Sequence, residues 1–229
     1  FVADASHEMR TPLATMRTNL EVLQLDPNAT LSDYKEMSVT LTRTLDRLER
    51  LLNDLLLLAR GELEVHKVPV NLEALLTEVV QNLMSFAKEN HVIVNMKVQE
   101  GAVVLADERL LGIAFGNLID NGIRYNRSGG SVEITVFEAD NGLIVQIQDT
   151  GEGIPSEEVT RIFDRFYRVE KSRARNRGGA GLGLAICQHI IKLHCGRIDV
   201  MSAIGKGSTF TIRLPSITSS RVDSDLTES

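Results

Sequence analysis

The chain has 229 residues, of which 43% are hydrophobic and 24% charged, so it can build one large domain or two modest ones and is not a disordered tail. The formal net charge of −6 and the pI near 5.4 argue against nucleic-acid binding, because such binding needs clustered Lys and Arg to neutralise phosphates. Cys187 and Cys195 have no metal-ligand spacing, which indicates packed thiols in a reducing compartment. No apolar run approaches the roughly 18 residues of a membrane span.

Two helices are predicted at the start of the chain from a heptad rhythm of apolar residues. The first runs to about Leu25, and the turn residues of "DPNATLSD" follow it, with Ser32 as the N-cap of the second. The two helices therefore form an antiparallel hairpin over residues 1–62, and His7 lies outside the apolar seam and faces outward. The seam consists of Met9, Leu13, Met16, Leu20 and Leu23 in the first helix and Leu41, Leu45, Leu48, Leu52, Leu55 and Ala59 in the second.

The second helix carries further leucines, which make its apolar face wider than one partner helix can cover. Two hairpins joined as a four-helix bundle would bury this face, so we expect a homodimer. The alternative is that the face packs on the second domain of the same chain. The additional leucines are Leu51, Leu56, Leu57 and Leu58.

The remainder of the chain is predicted to form a linker, a mixed α/β domain and a tail. Residues 63–70 interrupt the leucine run and are predicted as the linker, residues 71–215 as the domain, and the polar residues 216–229 as a disordered tail. Mixed order of helices and strands predicts an α/β sandwich with helices on one sheet face. The predicted helices are 72–89, 107–125, one following "IPSEEVTRIF" and 182–193, and the predicted strands are 92–98, 131–138, 143–149, 197–203 and 208–214.

Three glycine-rich stretches stand out in this domain: "DTGEGI" at 149–154, "GGAGLGL" at 178–184 and "GKGS" at 205–208. Glycine is required where the backbone takes a positive φ or approaches a ligand closely. Gly181 and Gly183 open a predicted helix, whose free N–H groups favour phosphate. One such stretch is often only a tight turn, but three in one domain favour a phosphate-binding site.

The stretch "RFYRVEKSRARNRGGAG" is the one basic concentration in an acidic chain. A charge run is usually a solvated loop, and this remains the alternative. Its position just before a phosphate-type helix start favours a mobile lid that meets a polyanion. The basic residues are Arg168, Lys171, Arg173, Arg175 and Arg177.

The helix "DERLLGIAFGNLIDNGIRYN" carries a polar stripe of Asn117, Asn121 and Arg124 beside its apolar stripe, because residues three and four apart share a helix face. Asparagine lowers helix propensity, so two at this spacing indicate a role beyond the helix. An amide oxygen is a ligand for hard cations, and Mg²⁺ is usually held by one or two protein oxygens plus substrate phosphates.

These motifs together resemble those of the sensor histidine kinases of two-component systems. His7 in "SHEMRTPL", "NLIDNGIRY", "DTGEGI", "FDRFYR" and "GGAGLGLAI" occur in that family's order and spacing and span nearly the whole chain. The resemblance implies a dimerisation and histidine-phosphotransfer hairpin, and then a catalytic ATP-binding domain with the fold of gyrase, the ninety-kilodalton heat-shock ATPase and MutL. It thus implies an α+β protein with ATP and Mg²⁺ as cofactors.

The resemblance also implies roles for individual residues of the hairpin. His7 would be the phosphoacceptor and Glu8 the carboxylate that accepts the imidazole proton. Thr11 would position the water that hydrolyses the phospho-aspartate of the partner response regulator. Pro12 would supply a hinge in the helix. The other histidines, His66, His91, His189 and His194, are expected to be surface or packing residues.

In the second domain the resemblance makes Asn121 the Mg²⁺ ligand and places Asn117 close to the phosphates. Arg124 would meet phosphate with its fork, and Asp149 would accept a hydrogen bond from the adenine amino group. Arg168 would reach the γ-phosphate. The remaining nucleotide-binding predictions are Tyr125 and Ile154 beside the adenine, Phe166 at the lid base, and Gly151, Gly153, Gly179, Gly181, Leu182, Gly183 and Ser208 in the glycine-rich stretches.

One position separates a kinase from a hydrolase. Related ATPases place a glutamate at the position of Asn117 to activate water, and an amide cannot take a proton. We therefore predict a kinase that phosphorylates His7 from ATP, passes the phosphoryl group to an aspartate of a response-regulator receiver domain, and also dephosphorylates that regulator. The alternatives are a nucleotide-driven ATPase clamp and a non-catalytic dimeric scaffold.

The chain begins with Phe1, not Met, already inside a helical pattern. We therefore expect a fragment whose upstream sensor and membrane segments lie outside it. It would be the cytoplasmic portion of a protein anchored in the cell membrane.

Overall fold

The computed structural model describes residues 2–59, 65–139, 142–169 and 180–215. It divides into two compact units, one up to Leu63 and the other from Glu64 onward. The first unit consists of α1 (Val2–Leu25) and α2 (Leu31–Ala59), which contact each other. The predicted helical hairpin is confirmed.

The start of α2 differs from the prediction by two residues. Thr30 and Asp33 form a reciprocal cap: the Thr30 backbone N–H donates to Oδ2 of Asp33 at 2.8 Å, and the Asp33 N–H donates to Oγ1 of Thr30 at 3.4 Å. The Thr30 hydroxyl also donates to Oδ2 of Asp33 at 2.7 Å, and this hydrogen bond, together with that from the Thr30 backbone, lowers the pKa of Asp33. Thr30 is thus the N-cap, and the prediction of Ser32 is wrong because the hydroxyl with an acidic partner three residues later satisfies more helix-end donors.

The second unit is built on a five-stranded mixed sheet of strand order β2-β4-β5-β7-β6. β2 pairs parallel with β4, and the other neighbours are antiparallel. The five strands are β2 (Ile93–Val98), β4 (Ser131–Ala139), β5 (Gly142–Asp149), β6 (Arg197–Ala203) and β7 (Gly207–Pro215), each within one residue of its prediction.

Three helices cover one face of this sheet. They are α3 (Leu72–Glu89), α4 (Glu108–Arg124) and α5 (Gly183–Leu193), and α4 contacts both α3 and α5. Alternate residues of β4 and β5 are buried, as expected when one sheet face packs on helices. The predicted sandwich of helices on a sheet is therefore confirmed. The core includes Leu110, Leu118, Ile123, Val132, Ile134, Val145, Ile147, Ile186 and Ile190.

A two-stranded antiparallel sheet was not predicted. It pairs β1 (Val68–Asn71) with β3 (Val103–Ala106), so residues 68–70, expected in the linker, belong to the second unit. Each strand has only four residues, and Pro69 weakens the sequence signal for a strand. The pairing exists because it buries Val70 and Val104, each 2% exposed.

Residues 164–169, directly after "IPSEEVTRIF", contain no helix, and the rest of the segment in which a helix was expected, residues 170–179, lies outside the described residues. Residues 156–166 form successive turns instead, with backbone hydrogen bonds from Glu158 to Pro155 and from Arg161 to Glu158. The apolar residues of this segment are too few to bury a helix face, and Ile162 is its one buried apolar side chain.

The expected packing role of His194 is confirmed. It is 2% exposed; its Nε2 accepts the backbone N–H of Asp107 at 2.9 Å and its Nδ1 lies 2.8 Å from the carbonyl oxygen of Ile190. The ring is thus a neutral imidazole with its proton on Nδ1, and burial lowers its pKa. The side chain connects the end of α5 to the N-cap of α4, whose carboxylate also accepts the His66 backbone N–H at 3.3 Å.

Candidate functional site

The predicted phosphoacceptor lies on α1. His7 and Thr11 are exposed and Glu8 is half-buried. The Thr11 hydroxyl donates to the carbonyl oxygen of His7 at 3.3 Å, one helical turn back. Pro12 lies inside the helix and has no N–H to donate to the carbonyl of Glu8. The imidazole is therefore exposed to solvent. The helix that carries it lacks one backbone hydrogen bond, the one from residue 12 to the carbonyl of Glu8.

The polar stripe of α4 is present as predicted. Its apolar face is buried, while Asn117, Asn121 and Arg124 are half-buried beside it. A Cβ added to Gly183 would lie 3.0 Å from Oδ1 of Asn117. The first turn of α5 has backbone N–H groups without partners inside the helix, and it therefore lies directly against Asn117 on the polar stripe of α4.

Arg124 has structural partners that the sequence analysis did not predict. Its guanidinium donates two hydrogen bonds to Asp120, at 2.9 and 2.8 Å, and lies 4.9 Å from the ring centroid of Phe86. The partners are on its own helix and on α3. These contacts fix the end of α4, and they give Arg124 a packing role independent of any phosphate.

Asp149 ends β5 and is 9% exposed. Its Oδ1 accepts the backbone N–H of Gly151 at 2.8 Å, and the backbone N–H and hydroxyl of Ser208 lie beside the carboxylate. Burial raises the pKa of Asp149, and the three donors oppose that rise. The site thus holds a buried carboxylate with N–H and O–H donors beside it.

Three glycines around this carboxylate pack closely against backbone carbonyl groups. Gly207 has a φ of +84°, and a Cβ there would overlap the carbonyl oxygen of Asp149. A Cβ on Gly151 would overlap the carbonyl oxygen of Tyr125, and one on Gly153 that of Ala203. The glycines of "DTGEGI" and "GKGS" are therefore needed for close approach, and the structure brings these two stretches and the end of α4 together.

The two ends of the predicted lid are joined by their backbones. The Phe166 N–H donates to the carbonyl oxygen of Gly181 at 2.9 Å, and the φ angles of the two residues are +63° and +72°. A Cβ on Gly181 would lie 2.8 Å from the carbonyl carbon of Phe166. The predictions for Gly179, Lys171, Arg173, Arg175 and Arg177 lie outside the described residues.

Arg168 has an unusual environment. Within the described part of the chain, its Nε and one terminal nitrogen are buried and have no hydrogen-bond partner. A buried guanidinium nitrogen without a partner is costly, and an anionic ligand is a group that would satisfy it. This observation agrees with the prediction that Arg168 meets phosphate.

Two residues of the site were missed. Asn126 donates to the carbonyl oxygens of Gly122 and Ser131, both at 2.9 Å, and so connects α4 to the sheet. Ser202 hydrogen-bonds Ser208 and the backbone of Ile154. The available signal for Ser202 was its position opposite Ser208 in the predicted hairpin, since such cross-strand pairs share a sheet face.

Comparison with known families agrees with both units. The model described as "His Kinase A (phospho-acceptor) domain" matches residues 1–64, and the model described as "Histidine kinase-, DNA gyrase B-, and HSP90-like ATPase" matches residues 106–218. The molecule thus joins a phospho-acceptor helical domain to an ATPase-type domain, which implies ATP binding.

Individual relatives point the same way. The chain is 39% identical over 220 residues to "Sensor histidine kinase RppB" of Synechocystis, covering 94% of this chain and 48% of the relative. The structure titled ShkA full-length in complex with AMPPNP matches with a TM-score of 0.70 and 29% identity, over 93% of this chain and 45% of that one. The ThkA structure in complex with the response regulator TrrA matches with a TM-score of 0.75 over 95% of this chain and 61% of that one, and at 24% identity it shows the fold alone.

The chain belongs to the sensor histidine kinases of two-component systems. It spans about half the length of RppB. No helix in the described residues is both long and apolar enough to cross a membrane.

Proposed function

We propose that this chain binds ATP with Mg²⁺, phosphorylates its own His7, and passes the phosphoryl group to an aspartate of a response-regulator receiver domain. The observation that carries the proposal is the combination of solvent-presented His7 on α1 with a second-unit site in which Asn117, an amide, faces the start of α5. An amide cannot act as a general base for water, so the γ-phosphoryl group is kept for another nucleophile.

The adenine end of the site is proposed at Asp149. Its carboxyl group accepts a hydrogen bond from the exocyclic amino group, and the Gly151 N–H holds that carboxyl group in place. Ile154 and Tyr125 flank the base. Gly153 lines this end through its close packing on the β6–β7 hairpin.

The phosphate end is proposed at the first turn of α5. Leu182 and Gly183 supply the N-terminal backbone there, and Gly179 and Gly181 precede them. Arg168 donates to the γ-phosphate with nitrogens that have no partner within the described residues. Phe166 positions this arginine through its backbone bond to Gly181.

The residues fit a bound Mg²⁺. Asn121 is half-buried and its side-chain amide has no hydrogen bond in the described structure, so its oxygen is available as a hard-cation ligand. The ion would neutralise charge on the phosphates. Asn117 lies one turn away on the same face and would contact the phosphates.

The chemical step uses groups on α1. A neutral His7 nitrogen forms a bond to the γ-phosphorus while the bond from that phosphorus to the β,γ-bridging oxygen breaks and ADP leaves with the electron pair. Glu8 takes the proton from the other ring nitrogen. The N–P bond then breaks as a receiver aspartate oxygen bonds the phosphorus, and the histidine regains a proton.

We further propose a homodimer formed by the helical hairpins. Large apolar residues remain exposed on both helices at heptad spacing, Leu13 and Leu20 on α1 and Leu45 and Leu52 on α2, with exposures of 50, 37, 57 and 46%. A second hairpin would cover them in a four-helix bundle. Light scattering at several concentrations tests this, and a monomer at micromolar concentration would contradict it.

We also propose that the longer protein carries an upstream sensor and membrane anchor, and that this chain is its cytoplasmic portion. The name of RppB as a sensor and its roughly twofold greater length support this. Sequencing the DNA upstream of the Phe1 codon and finding no membrane span would contradict it.

The kinase proposal is tested by incubation with ATP radiolabelled in the γ-phosphate. We expect an acid-labile, base-stable label on the chain that is absent from His7→Gln and retained by the control His66→Gln, whose side chain is exposed. Label that persists in His7→Gln, or steady phosphate release without a partner, would overturn the proposal in favour of another acceptor or an ATPase clamp.

A further inference from the structure

The side chains of Asn126 and Thr150 connect the end of α4 to the loop that follows β5. The Asn126 amide nitrogen donates to the carbonyl oxygens of Gly122 and Ser131, both at 2.9 Å. Its amide oxygen accepts the Thr150 hydroxyl at 3.2 Å, and the Thr150 hydroxyl oxygen accepts the backbone N–H of Ser131 at 2.9 Å. The end of α4, the start of β4 and the loop after β5 therefore meet at this pair of side chains.

The hydrogen-bond partners fix the orientation of both side chains. The Asn126 amide nitrogen faces two carbonyl oxygens, while its oxygen faces the Arg127 backbone N–H at 3.0 Å and the Thr150 hydroxyl. The Ser131 carbonyl oxygen, 3.5 Å from that hydroxyl, already accepts the Asn126 amide and the Thr150 backbone N–H at 3.1 Å. The Thr150 proton therefore goes to Asn126, and every donor and acceptor of the amide is used.

Gly130 leaves the space in which the two side chains meet. A Cβ at Gly130 would overlap the Asn126 amide oxygen and would lie 2.7 Å from the Thr150 hydroxyl oxygen. Asn126 and Thr150 are both half-buried. Their hydrogen bond therefore lies in a packed position, where the two groups have little freedom to separate.

The pair adjoins both ends of the proposed ATP site. Thr150 directly follows Asp149, and Asn126 follows the end of α4, the helix that carries Asn121. The two ends are close here, since a Cβ on Gly122 would lie 3.6 Å from the Cβ of Asp149. The Asn126–Thr150 hydrogen bond thus holds the backbone at Asp149 against the helix of the proposed Mg²⁺ ligand.

We propose that Asn126 and Thr150 are positioning residues that set the spacing between the adenine end and the phosphate end of the site. The inference rests on the proposed function, which places adenine at Asp149 and Mg²⁺ at Asn121. A ligand that contacts two sites at once gains the full affinity of both only when the spacing of the sites matches the ligand. In this role neither Asn126 nor Thr150 contacts the nucleotide.

Loss of the Thr150 hydroxyl breaks the connection between the loop and α4. The Asn126 oxygen and the Ser131 N–H each lose one partner, and the loop that carries Asp149 can then shift relative to the helix. The adenine contact and the phosphate contacts each survive, but one nucleotide no longer makes both at full strength. ATP binding therefore weakens, while a ligand that occupies one end keeps its affinity.

The test measures binding to the full chain with Mg²⁺, using calorimetry for ATP and inorganic tripolyphosphate and ligand-observed NMR for adenosine. Thr150→Val keeps the shape of the side chain and removes the hydroxyl. It should raise the Kd for ATP about five- to tenfold, as for loss of one buried hydrogen bond. The Kd values for adenosine and for tripolyphosphate should each change by less than about twofold, since each ligand uses one end.

Two further variants serve as controls for Thr150→Val. Thr150→Ser keeps the hydroxyl and should restore ATP affinity. Thr77→Val removes a hydroxyl that donates to the Glu73 carbonyl oxygen at 2.7 Å within α3, and it should leave all three dissociation constants unchanged. Unchanged ATP affinity in Thr150→Val, or equal weakening of ATP and of either smaller ligand, would overturn the inference.

A double-mutant cycle tests whether the two residues act as one unit. Combining Asn126→Ala with Thr150→Val should raise the Kd for ATP about as much as Asn126→Ala alone, because the Thr150 hydroxyl acts through Asn126. Independent effects, in which the two increases multiply, would contradict this.

Asp149→Asn separates failure of the inference from failure of the proposed function. If Asp149→Asn abolishes ATP binding and Thr150→Val binds ATP as wild type does, the inference fails and the proposed function stands. If Asp149→Asn binds ATP as wild type does, the proposed adenine contact fails, and the inference fails with it.

Discussion

The side-chain oxygen of Asn117 and the α-carbon of Gly183 are so close that a Cβ on Gly183 would lie 3.0 Å from that oxygen. This contact joins the polar stripe of α4 to the first turn of α5. The two helices that form the proposed phosphate site can therefore approach this closely because residue 183 is a glycine.

Gly183→Ala should displace the Asn117 amide and lower the rate of autophosphorylation at least tenfold, since catalysis depends on sub-ångström placement of the groups around the phosphates. The measurement is the initial rate of label incorporation with saturating ATP. The control is Gly112→Ala on α4, where the added Cβ meets Leu75 at 3.5 Å, an ordinary contact. Alanine there should raise the unfolding free energy by about 0.5–1 kcal/mol and leave the rate unchanged. An unchanged rate in Gly183→Ala would contradict the prediction.

Arg168→Ala should weaken ATP binding about 10- to 100-fold, as expected for lost charge-assisted hydrogen bonds to phosphate. The unfolding midpoint without nucleotide should not fall, because the variant removes buried nitrogens that have no partner within the described residues. Calorimetry and thermal unfolding provide the two measurements. Arg161→Ala is the control: this guanidinium lies 4.3 Å from the Tyr167 ring centroid and is exposed. Equal weakening in both variants would show a general effect of charge.

Thr11→Ala should keep autophosphorylation and lose dephosphorylation of the phosphorylated response regulator, because the resemblance implies that the Thr11 hydroxyl positions water for that reaction. Each activity is assayed separately. Thr15→Ala is a close control, since the Thr15 hydroxyl donates to the Thr11 carbonyl oxygen at 3.0 Å just as Thr11 donates to His7. Equal loss of both activities in Thr11→Ala would identify a structural residue.

His194 should make the second unit less stable in acid. Its pKa is lowered by burial, so the unfolded chain takes up a proton on this ring before the folded chain does. Stability is therefore lost as the pH falls below the ordinary value of about 6.5, and the loss continues down to the lowered pKa. His194→Leu should be less stable by about 1–3 kcal/mol at pH 8, because the Asp107 N–H loses its acceptor.

The measurement is denaturant unfolding of the wild type and His194→Leu from pH 5 to pH 8. The difference between the two curves isolates His194 from other titrating groups, including Asp54, whose pKa burial raises to about 6. The stability gap between the two proteins should narrow as the pH falls. A gap that is constant with pH would contradict the prediction.

The helical hairpin, the five strands of the large sheet and the helices α3, α4 and α5 were predictable from local sequence patterns. These elements carry strong local signals: heptad spacing, strict alternation in β4 and β5, and caps such as Asp107. It also indicated Asn117 and Asn121 as candidate residues, because asparagine is unusual in mid-helix, while the family resemblance supplied most of the others.

Other features follow from long-range packing, which local sequence patterns do not contain. The four-residue strands β1 and β3 exist through mutual pairing. The partners of Arg124 and the unpartnered nitrogens of Arg168 follow from long-range packing. Ser202 reached the site because antiparallel pairing set it opposite Ser208. Hydrogen bonds between residues distant in sequence depend on register and burial, and those are fixed only when the whole sheet and its helices pack together.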